Sequence, residues 1–245
     1  MPEKIAAGNW KMNGTRADLA QLTAIAQTAQ GAQCTTIICP PAPILMAAAD
    51  HATGIHIGAQ DCHAQPQGAH TGDISAAMIR DAGAAYVIVG HSERRTDHGE
   101  TNAQVLDKCT AARAAGLRPI VCIGETLAER EAGNTLPIVL GQLAQSLPDG
   151  DPTGLIVAYE PVWAIGTGKT ATPDLIAEMH GALCDALVAR YGAAGADIPL
   201  LYGGSVKPGN AADIFAVPHV NGALVGGASL RADDFNPIIT ALSQA

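Results

Sequence analysis

The sequence predicts a (β/α)8 barrel, in which eight parallel strands are enclosed by an outer ring of helices. Eight short apolar runs alternate with longer helical patterns along the 245 residues. Most of these runs are continuously apolar, which is typical of parallel strands buried on both faces. A length near 250 residues suits this fold, and no linker or low-complexity segment divides the chain. Residues 1–245 are therefore expected to form a single domain.

The strand candidates follow one another at regular intervals, and helical patterns separate them. They lie at 4–9, 36–40, 55–60, 86–90, 119–123, 155–160, 199–203 and 222–226. Clear helical stretches cover 16–30, 101–115, 174–190 and about 235–244. Thr172 and Pro173 supply an N-cap and a first-turn proline for the third of these helices. A doubly wound open sheet is the alternative, but no GxGxxG motif follows the first strand, and polar residues end many strands rather than those at one switch point.

Composition excludes several classes of function. The net charge is -9, and no basic block or aromatic-interleaved basic stripe is present, so nucleic acid is not an expected partner. No apolar run approaches the about 20 residues of a membrane span. The six cysteines form no CxxC pair and lie mostly in apolar runs, which predicts reduced, buried thiols. These features favour a cytoplasmic protein without a membrane partner.

Polar residues end several strands and are the main functional signal. Asn9 and Lys11 follow the first strand, His91 follows the fourth, and Glu160 ends the sixth. Taken singly, Lys11 reads as a surface lysine, His91 as a structural histidine, and Glu160 as half of a buried ion pair. In a barrel all of these strand ends converge on one mouth, where active sites form. Together they predict an active site.

Glycines at the last two strand ends predict a binding site for an anion. Gly203, Gly204 and Ser205 end the seventh strand, and Gly226 and Gly227 end the eighth, where a short helical turn is expected to follow. Glycine allows close backbone approach, and free N–H groups hold an anion. Barrels frequently bind phosphate at this position. The alternative is that these glycines serve only tight turns needed for packing.

The stretch "EPVWAIGTGKT", residues 160–170, looks at first like a nucleotide-binding P-loop. That motif needs a glycine five residues before Gly168, and Trp163 stands there. Its helix should also begin at the lysine, whereas the start signal comes later, at Thr172. A hinged lid fits better, with Ala164 and Ile165 at an apolar tip and a phosphate donor at Gly166. The predicted lid comprises Pro161, Val162, Trp163, Ala164, Ile165, Gly166, Thr167, Gly168 and Lys169.

Five motifs in order resemble those of the triosephosphate isomerase family. They are "GNWKMNG", "VIVGHSERR", "AYEPVWAIGTGK", "YGGSVKPGN" and "NGALVGGASL", and the similarity runs from residue 5 to about residue 240. The resemblance implies the TIM-barrel fold and interconversion of dihydroxyacetone phosphate and D-glyceraldehyde 3-phosphate. The reaction that the resemblance implies requires no organic cofactor and no metal, and no clustered His/Cys ligand set is evident in the sequence.

The resemblance also implies residue roles. Glu160 corresponds to the base, His91 to the electrophile, Lys11 and Asn9 to oxyanion stabilisers, and Glu93 to a supporting acid; Cys122 is expected to be structural. The residues expected to hold the substrate and its phosphate are Asn9, Lys11, Gly166, Ser205, Leu224, Gly226 and Gly227. Because His91 precedes a short predicted helix, its imidazole is expected to be neutral.

A homodimer is implied by the loop at 63–73, with Thr71 and Gly72 at its tip. This loop departs from the common family pattern at Asp61, where asparagine is usual, and at "CHAQPQ". Three alternatives remain at this stage: a paralogous isomerase acting on a tetrulose phosphate, a non-catalytic phosphate-binding barrel, and a nucleotide-binding enzyme. Retention of Lys11, His91 and Glu160 argues against pure binding.

Overall fold

The eight strand candidates form a closed parallel barrel in a computed structural model that describes residues 2–165 and 170–245. Each strand pairs with its neighbours in chain order, and β1 closes the barrel against β8, so the open-sheet alternative is wrong. Each strand end falls within one residue of its prediction. The strands are β1 Ile5–Asn9, β2 Thr35–Cys39, β3 His56–Ala59, β4 Tyr86–Val89, β5 Arg118–Ile123, β6 Ile156–Tyr159, β7 Leu200–Tyr202 and β8 Gly222–Val225.

Helices connect the strands and surround the barrel. They are α1 Ala20–Ala29, α2 Leu45–His51, α3 Ala76–Asp81, α4 Ser92–Asp97, α5 Asn102–Ala114, α6 Leu127–Glu131, α7 Thr135–Ser146, α8 Pro173–Tyr191, α9 Ala211–Phe215 and α10 Ala232–Gln244. Short 3-10 turns cover Arg16–Leu19, Ala42–Ile44, Val162–Ala164, Gly192–Asp197 and Gly227–Ser229. Within the described ranges, no helix combines the length and apolar character needed to cross a membrane.

Two helices differ in detail from the sequence prediction. The stretch predicted at 16–30 opens with a 3-10 turn before α1 begins at Ala20. α10 begins at Ala232, three residues before the predicted start. The apolar face of α10 starts only at Phe235, but Asp233 and Asp234 fill its first turn, where acidic side chains complement the helix dipole. The start of α8 is as predicted, because Thr172 accepts the Leu175 N–H and Pro173 is the first helical residue.

The barrel interior is a packed apolar core built from alternate strand residues, as expected for this fold. β3 contributes no large side chain to it. A Cβ at Gly58 would lie 2.7 Å from the Cys39 sulfur and 3.2 Å from the Cβ of Tyr86, so these neighbours occupy its space. The interior cluster is Ile5, Ala7, Ile37, Cys39, Tyr86, Ile88, Ile120, Cys122, Ile156, Ala158, Leu201 and Leu224.

The cysteines are all free thiols, as predicted. Four of them are buried, whereas Cys34 and Cys184 are partly exposed. Burial raises the pKa of Cys39 to about 12, and burial is likewise the main cause that raises the pKa of Cys122. Both thiols belong to the barrel interior, which agrees with a packing role for Cys122.

Candidate active site

A cavity of about 300 Å³ opens at the carboxyl ends of the strands and gathers most of the predicted site residues. Parallel strands all end on this side of the barrel, so residues far apart in sequence meet here. Glu93 lies beside the cavity rather than in its wall and lines a neighbouring groove. The cavity lining comprises Asn9, Lys11, Asn13, His91, Glu160, Ile165, Gly203, Gly204, Ser205, Val206, Lys207, Leu224, Gly226, Gly227 and Ala228.

Glu160 is a buried carboxylate, only 2% exposed, directly after β6. Its Oε1 lies 2.9 Å from Nε2 of His91. Its Oε2 accepts the backbone N–H of Ser92 at 2.9 Å. Burial raises the pKa of Glu160, but the contacts with His91 and Ser92 outweigh burial, so its pKa lies below the ordinary value. Both carboxylate oxygens are therefore occupied by protein donors in this arrangement.

His91 caps the N-terminus of α4 and faces Glu160. Its Nδ1 accepts the backbone N–H of Glu93 at 3.3 Å, which leaves Nε2 to carry the proton donated to Glu160. A neutral imidazole with its proton on Nε2 makes both of these contacts. Burial lowers the pKa of His91, but the carboxylates of Glu160 and Glu93 together outweigh burial, so the net shift is upward. The helix N-terminus and burial favour the neutral imidazole that the sequence predicts, whereas the Glu160 carboxylate favours the charged form while the two side chains stay in contact.

Lys11 has an unusual backbone conformation that several polar groups hold in place. Its φ is +52°, in the left-handed region that non-glycine residues seldom occupy. The Lys11 N–H donates to Oδ1 of Asn9 at 2.9 Å, and its Nζ lies 2.5 Å from Oε1 of Glu93. Gln60 donates its amide to the carbonyls of Lys11 at 2.8 Å and of Cys39 at 2.9 Å. Sequence reasoning did not single out Gln60, although it follows β3 at the same mouth.

Glycines form the opposite wall of the cavity. Gly227 opens the predicted short turn after β8, and Ser229 in that turn donates its hydroxyl to the carbonyl of Gly226 at 2.7 Å. A Cβ at Gly204 would lie 2.1 Å from the Tyr202 hydroxyl, so this position requires glycine. Ser205 also borders the cavity. This wall presents mostly backbone to the cavity.

The described part of the predicted lid begins as a 3-10 turn whose tryptophan is hydrogen-bonded to a buried glutamate. The Trp163 indole N–H donates to Oε1 of Glu125 at 2.9 Å, and Glu125 also accepts the Tyr159 hydroxyl. Ala164 is fully buried, whereas Ile165 lines the cavity. The remaining predicted lid residues, Gly166, Thr167, Gly168 and Lys169, lie outside the described residues.

The third loop, residues 63–73, contributes no residue to the lining of this cavity. Thr71 and Gly72 are exposed at its tip. At its base, Asp61 lies 2.8 Å from Nζ of Lys108 and 2.9 Å from Nη2 of Arg94, so the carboxylate that departs from the family pattern is charge-compensated. The loop also brings His63, His70 and Asp73 together, with ligand atoms within 4.8 Å. Sequence analysis found no clustered ligand set, because these residues are spread over a loop whose backbone path the sequence does not specify.

The fold and site together define a (β/α)8-barrel enzyme with a buried carboxylate and a buried imidazole in contact at the carboxyl ends of the strands. The family model for triosephosphate isomerase matches residues 4–242. The chain therefore belongs to the triosephosphate isomerase family.

Proteins named triosephosphate isomerase match this chain over nearly their full length. The triosephosphate isomerase of Ruegeria sp. (strain TM1040) is 65% identical, with 99% of each chain covered. That of Jannaschia sp. (strain CCS1) is 57% identical, with 100% of each chain covered. The crystal structure of triosephosphate isomerase from Bartonella henselae superposes with a TM-score of 0.91 at 47% identity and covers 98% of each chain.

Proposed function

We propose that this chain is a triosephosphate isomerase that interconverts dihydroxyacetone phosphate and D-glyceraldehyde 3-phosphate in glycolysis and gluconeogenesis. The observation that carries the proposal is the buried Glu160 carboxylate, 2.9 Å from Nε2 of His91, in a cavity whose other wall is glycine-rich backbone. The carboxylate and imidazole suit proton transfer next to a carbonyl, and the glycine-rich wall suits the binding of a phosphate.

Glu160 acts as the base in this proposal. It takes a proton from the carbon beside the substrate carbonyl and returns it to the carbonyl carbon, while the hydroxyl proton passes to the former carbonyl oxygen, so the two triose phosphates interconvert without a net change in redox state. Both of its oxygens are occupied by His91 and Ser92. The carboxylate must therefore leave these donors to reach a substrate carbon, and the substrate carbonyl takes its place against Nε2–H of His91.

Charge that develops on the substrate oxygen is stabilised by three side chains. His91 donates a hydrogen bond, Lys11 contributes positive charge, and Asn9 holds the Lys11 backbone through its 2.9 Å contact. Glu93 binds the Lys11 ammonium at 2.5 Å and fixes its position from outside the cavity. These groups are in place before substrate arrives, which reduces the reorganisation needed during reaction.

The phosphate is assigned to the glycine-rich wall. Gly226 and Gly227 offer backbone N–H groups, Ser205 offers a hydroxyl, and Gly166 is proposed as a further donor. Leu224 forms an apolar part of the lining. The lid from Pro161 to Lys169 is proposed to cover the substrate and exclude water. This protection is needed because an enediolate beside a phosphate ester otherwise loses the phosphate by elimination.

A tetrulose phosphate isomerase would share this machinery, so a higher kcat/KM for the four-carbon than for the three-carbon substrates would contradict the proposal.

Glu160→Ala tests the mechanism directly. We expect turnover to fall by at least about 10²–10⁴-fold, the usual contribution of a general base, in an assay that follows both triose phosphates. Binding of glycerol 3-phosphate, which has the phosphate but no carbonyl, should persist. Glu131→Ala, an exposed carboxylate at the end of α6, is the matched control. Unchanged turnover in Glu160→Ala would refute the assigned role.

The homodimer belongs to the same proposal. Residues 65–73 are exposed in one run, and Met12, next to Lys11, is 95% exposed. A cavity of about 270 Å³ beside the loop base, lined in part by Met12, Leu45 and Ile79, is proposed to receive the tip of a partner's third loop, Thr71 and Gly72. Sedimentation velocity tests this assembly, and a fully active monomer at micromolar concentration would contradict it.

The remaining parts of the proposal follow from chemistry and composition. The reaction only moves protons, one between adjacent carbons and one between their oxygens, so the proposed mechanism uses no organic cofactor and no catalytic metal. Residues 1–245 are proposed to act as a single domain in the cytoplasm, where free thiols such as Cys39 and Cys122 stay reduced.

A further inference from the structure

The third loop carries two imidazoles and a carboxylate that lie close to one another. His63, His70 and Asp73 each offer one ligand atom, and these atoms all lie within 4.8 Å of one another. The two imidazole ring centroids are 4.0 Å apart, and Nε2 of His63 lies 3.9 Å from Oδ2 of Asp73. We propose that this cluster binds a divalent cation of the Zn²⁺ class.

The donor set specifies the class of cation. Imidazole nitrogen combined with one carboxylate suits Zn²⁺ and neighbouring first-row ions, whereas Mg²⁺ and Ca²⁺ prefer all-oxygen sites. Three protein ligands leave a fourth tetrahedral position for solvent. His70 and Asp73 are exposed in the single chain, so a cation reaches the site from solution before the loop docks.

The backbone of the loop already brings the three ligands together. The His63 N–H donates to the Ile74 carbonyl at 2.8 Å, and the Asp73 N–H donates to the His70 carbonyl at 3.0 Å. Gly68 has a φ of +153°, and a Cβ there would lie 2.9 Å from the His70 ring, so glycine lets this imidazole lie against the loop. With metal–ligand bonds of about 2.0–2.2 Å, the ligand atoms need to close in by roughly 1 Å. Asp73, whose side chain is 57% exposed, is free to make that movement.

Binding changes one hydrogen bond in a predictable way. Nδ1 of His63 now accepts the Gln65 N–H at 3.0 Å, so a neutral His63 carries its proton on Nε2. When a cation takes Nε2, that proton moves to Nδ1, and the Gln65 N–H loses its acceptor. The Gln65 amide is therefore expected to report cation binding through its NMR shift.

The bound cation links the loop base to the segment next to its tip. It connects His63 with His70 and Asp73 on either side of Thr71 and Gly72, and so restricts the loop before it docks. This consequence rests on the proposed homodimer, whereas the cation site itself does not. Ordering a loop in advance strengthens association by reducing the entropy lost on binding.

The test uses the full chain with any affinity tag removed and titrates it with ZnCl2 against a chromophoric chelator. Wild type is expected to bind one Zn²⁺ per chain, and His70→Ala to bind it at least about tenfold more weakly. His51→Ala, an exposed histidine on α2, is the control and should match wild type. The titration is repeated in a Cys34→Ser/Cys184→Ser background, because these two free thiols are partly exposed and thiolates are common zinc ligands.

The possible outcomes separate the two claims. Equal affinity of wild type and His70→Ala, or absence of binding by wild type, overturns the cation site whatever the oligomeric state. A Zn²⁺-dependent shift of the Gln65 amide supports it. The dimer dissociation constant measured by sedimentation should decrease when Zn²⁺ is added to wild type and should not change in His70→Ala. Zn²⁺ binding without this difference overturns the link to assembly.

Discussion

Replacing Gly203 by alanine tests whether backbone space next to the base sets catalytic geometry. A Cβ at Gly203 would lie 2.8 Å from Cγ of Glu160 and 3.1 Å from the carbonyl oxygen of Tyr159. Carbon atoms in contact normally stay about 3.5–4.0 Å apart, so the Glu160 side chain must move by roughly 1 Å. Misplacement of a catalytic group by that amount costs about 10²-fold in rate.

The same substitution should leave the fold intact. The backbone at Gly203 is not in the left-handed region, and the closest clash is with a side chain. Overpacking of this kind costs about 1–3 kcal/mol, which for a chain of this size lowers Tm by about 2–4 °C for each kcal/mol. We therefore expect a folded variant with kcat reduced about 10²-fold.

The assay measures kcat and KM with both triose phosphates alongside the thermal unfolding curve. Gly209→Ala is the matched control, because it lies in the same loop and a Cβ there meets nothing within 4 Å. Wild-type turnover in a folded Gly203→Ala would show that this contact does not set the position from which Glu160 moves to the substrate.

Two further predictions concern buried polar groups. Gln60→Leu removes the amide that donates to the carbonyls of Lys11 and Cys39. The Cys39 carbonyl keeps the Trp10 N–H at 3.1 Å, so one carbonyl, that of Lys11, loses its donor. The free energy of unfolding should fall by about 1–3 kcal/mol and kcat should also fall, as measured by urea unfolding and initial rates. Burial lowers the pKa of His180 to about 4, so the folded protein keeps it neutral while the unfolded chain takes up a proton near pH 6.5. The contribution of neutral His180 to the free energy of unfolding is therefore complete above pH 6.5 and should fall by roughly 3 kcal/mol as the pH drops to 4. Urea unfolding of His180→Gln across this pH range should lack this part of the pH dependence of stability.

The fold was predictable because the strand signal is strong. Strands such as β4 and β6 are buried on both faces, and their apolar runs stand out from the helices. Once eight such strands are placed in a barrel, topology brings Asn9, His91 and Glu160 to one mouth. Neither step depends on the conformation of any side chain.

The contacts within the site were not predictable in the same way. The pairing of Glu160 with both His91 and Ser92 depends on side-chain torsions, which the sequence does not specify. Gln60 acts on a left-handed residue 49 positions earlier in the chain, and no local pattern signals that its amide spans two carbonyls. The Nδ1 hydrogen bond that sets the His63 tautomer depends in the same way on the loop backbone.

The glycine in the third strand has an evolutionary consequence. Because Tyr86 and Cys39 fill the space where a side chain at residue 58 would stand, a larger residue at 58 requires a smaller one at 39 or 86. These positions should therefore vary together among relatives, with glycine at 58 accompanying bulk at 86. Residue frequencies at the three positions across the family would reveal this exchange, and independent variation would contradict it.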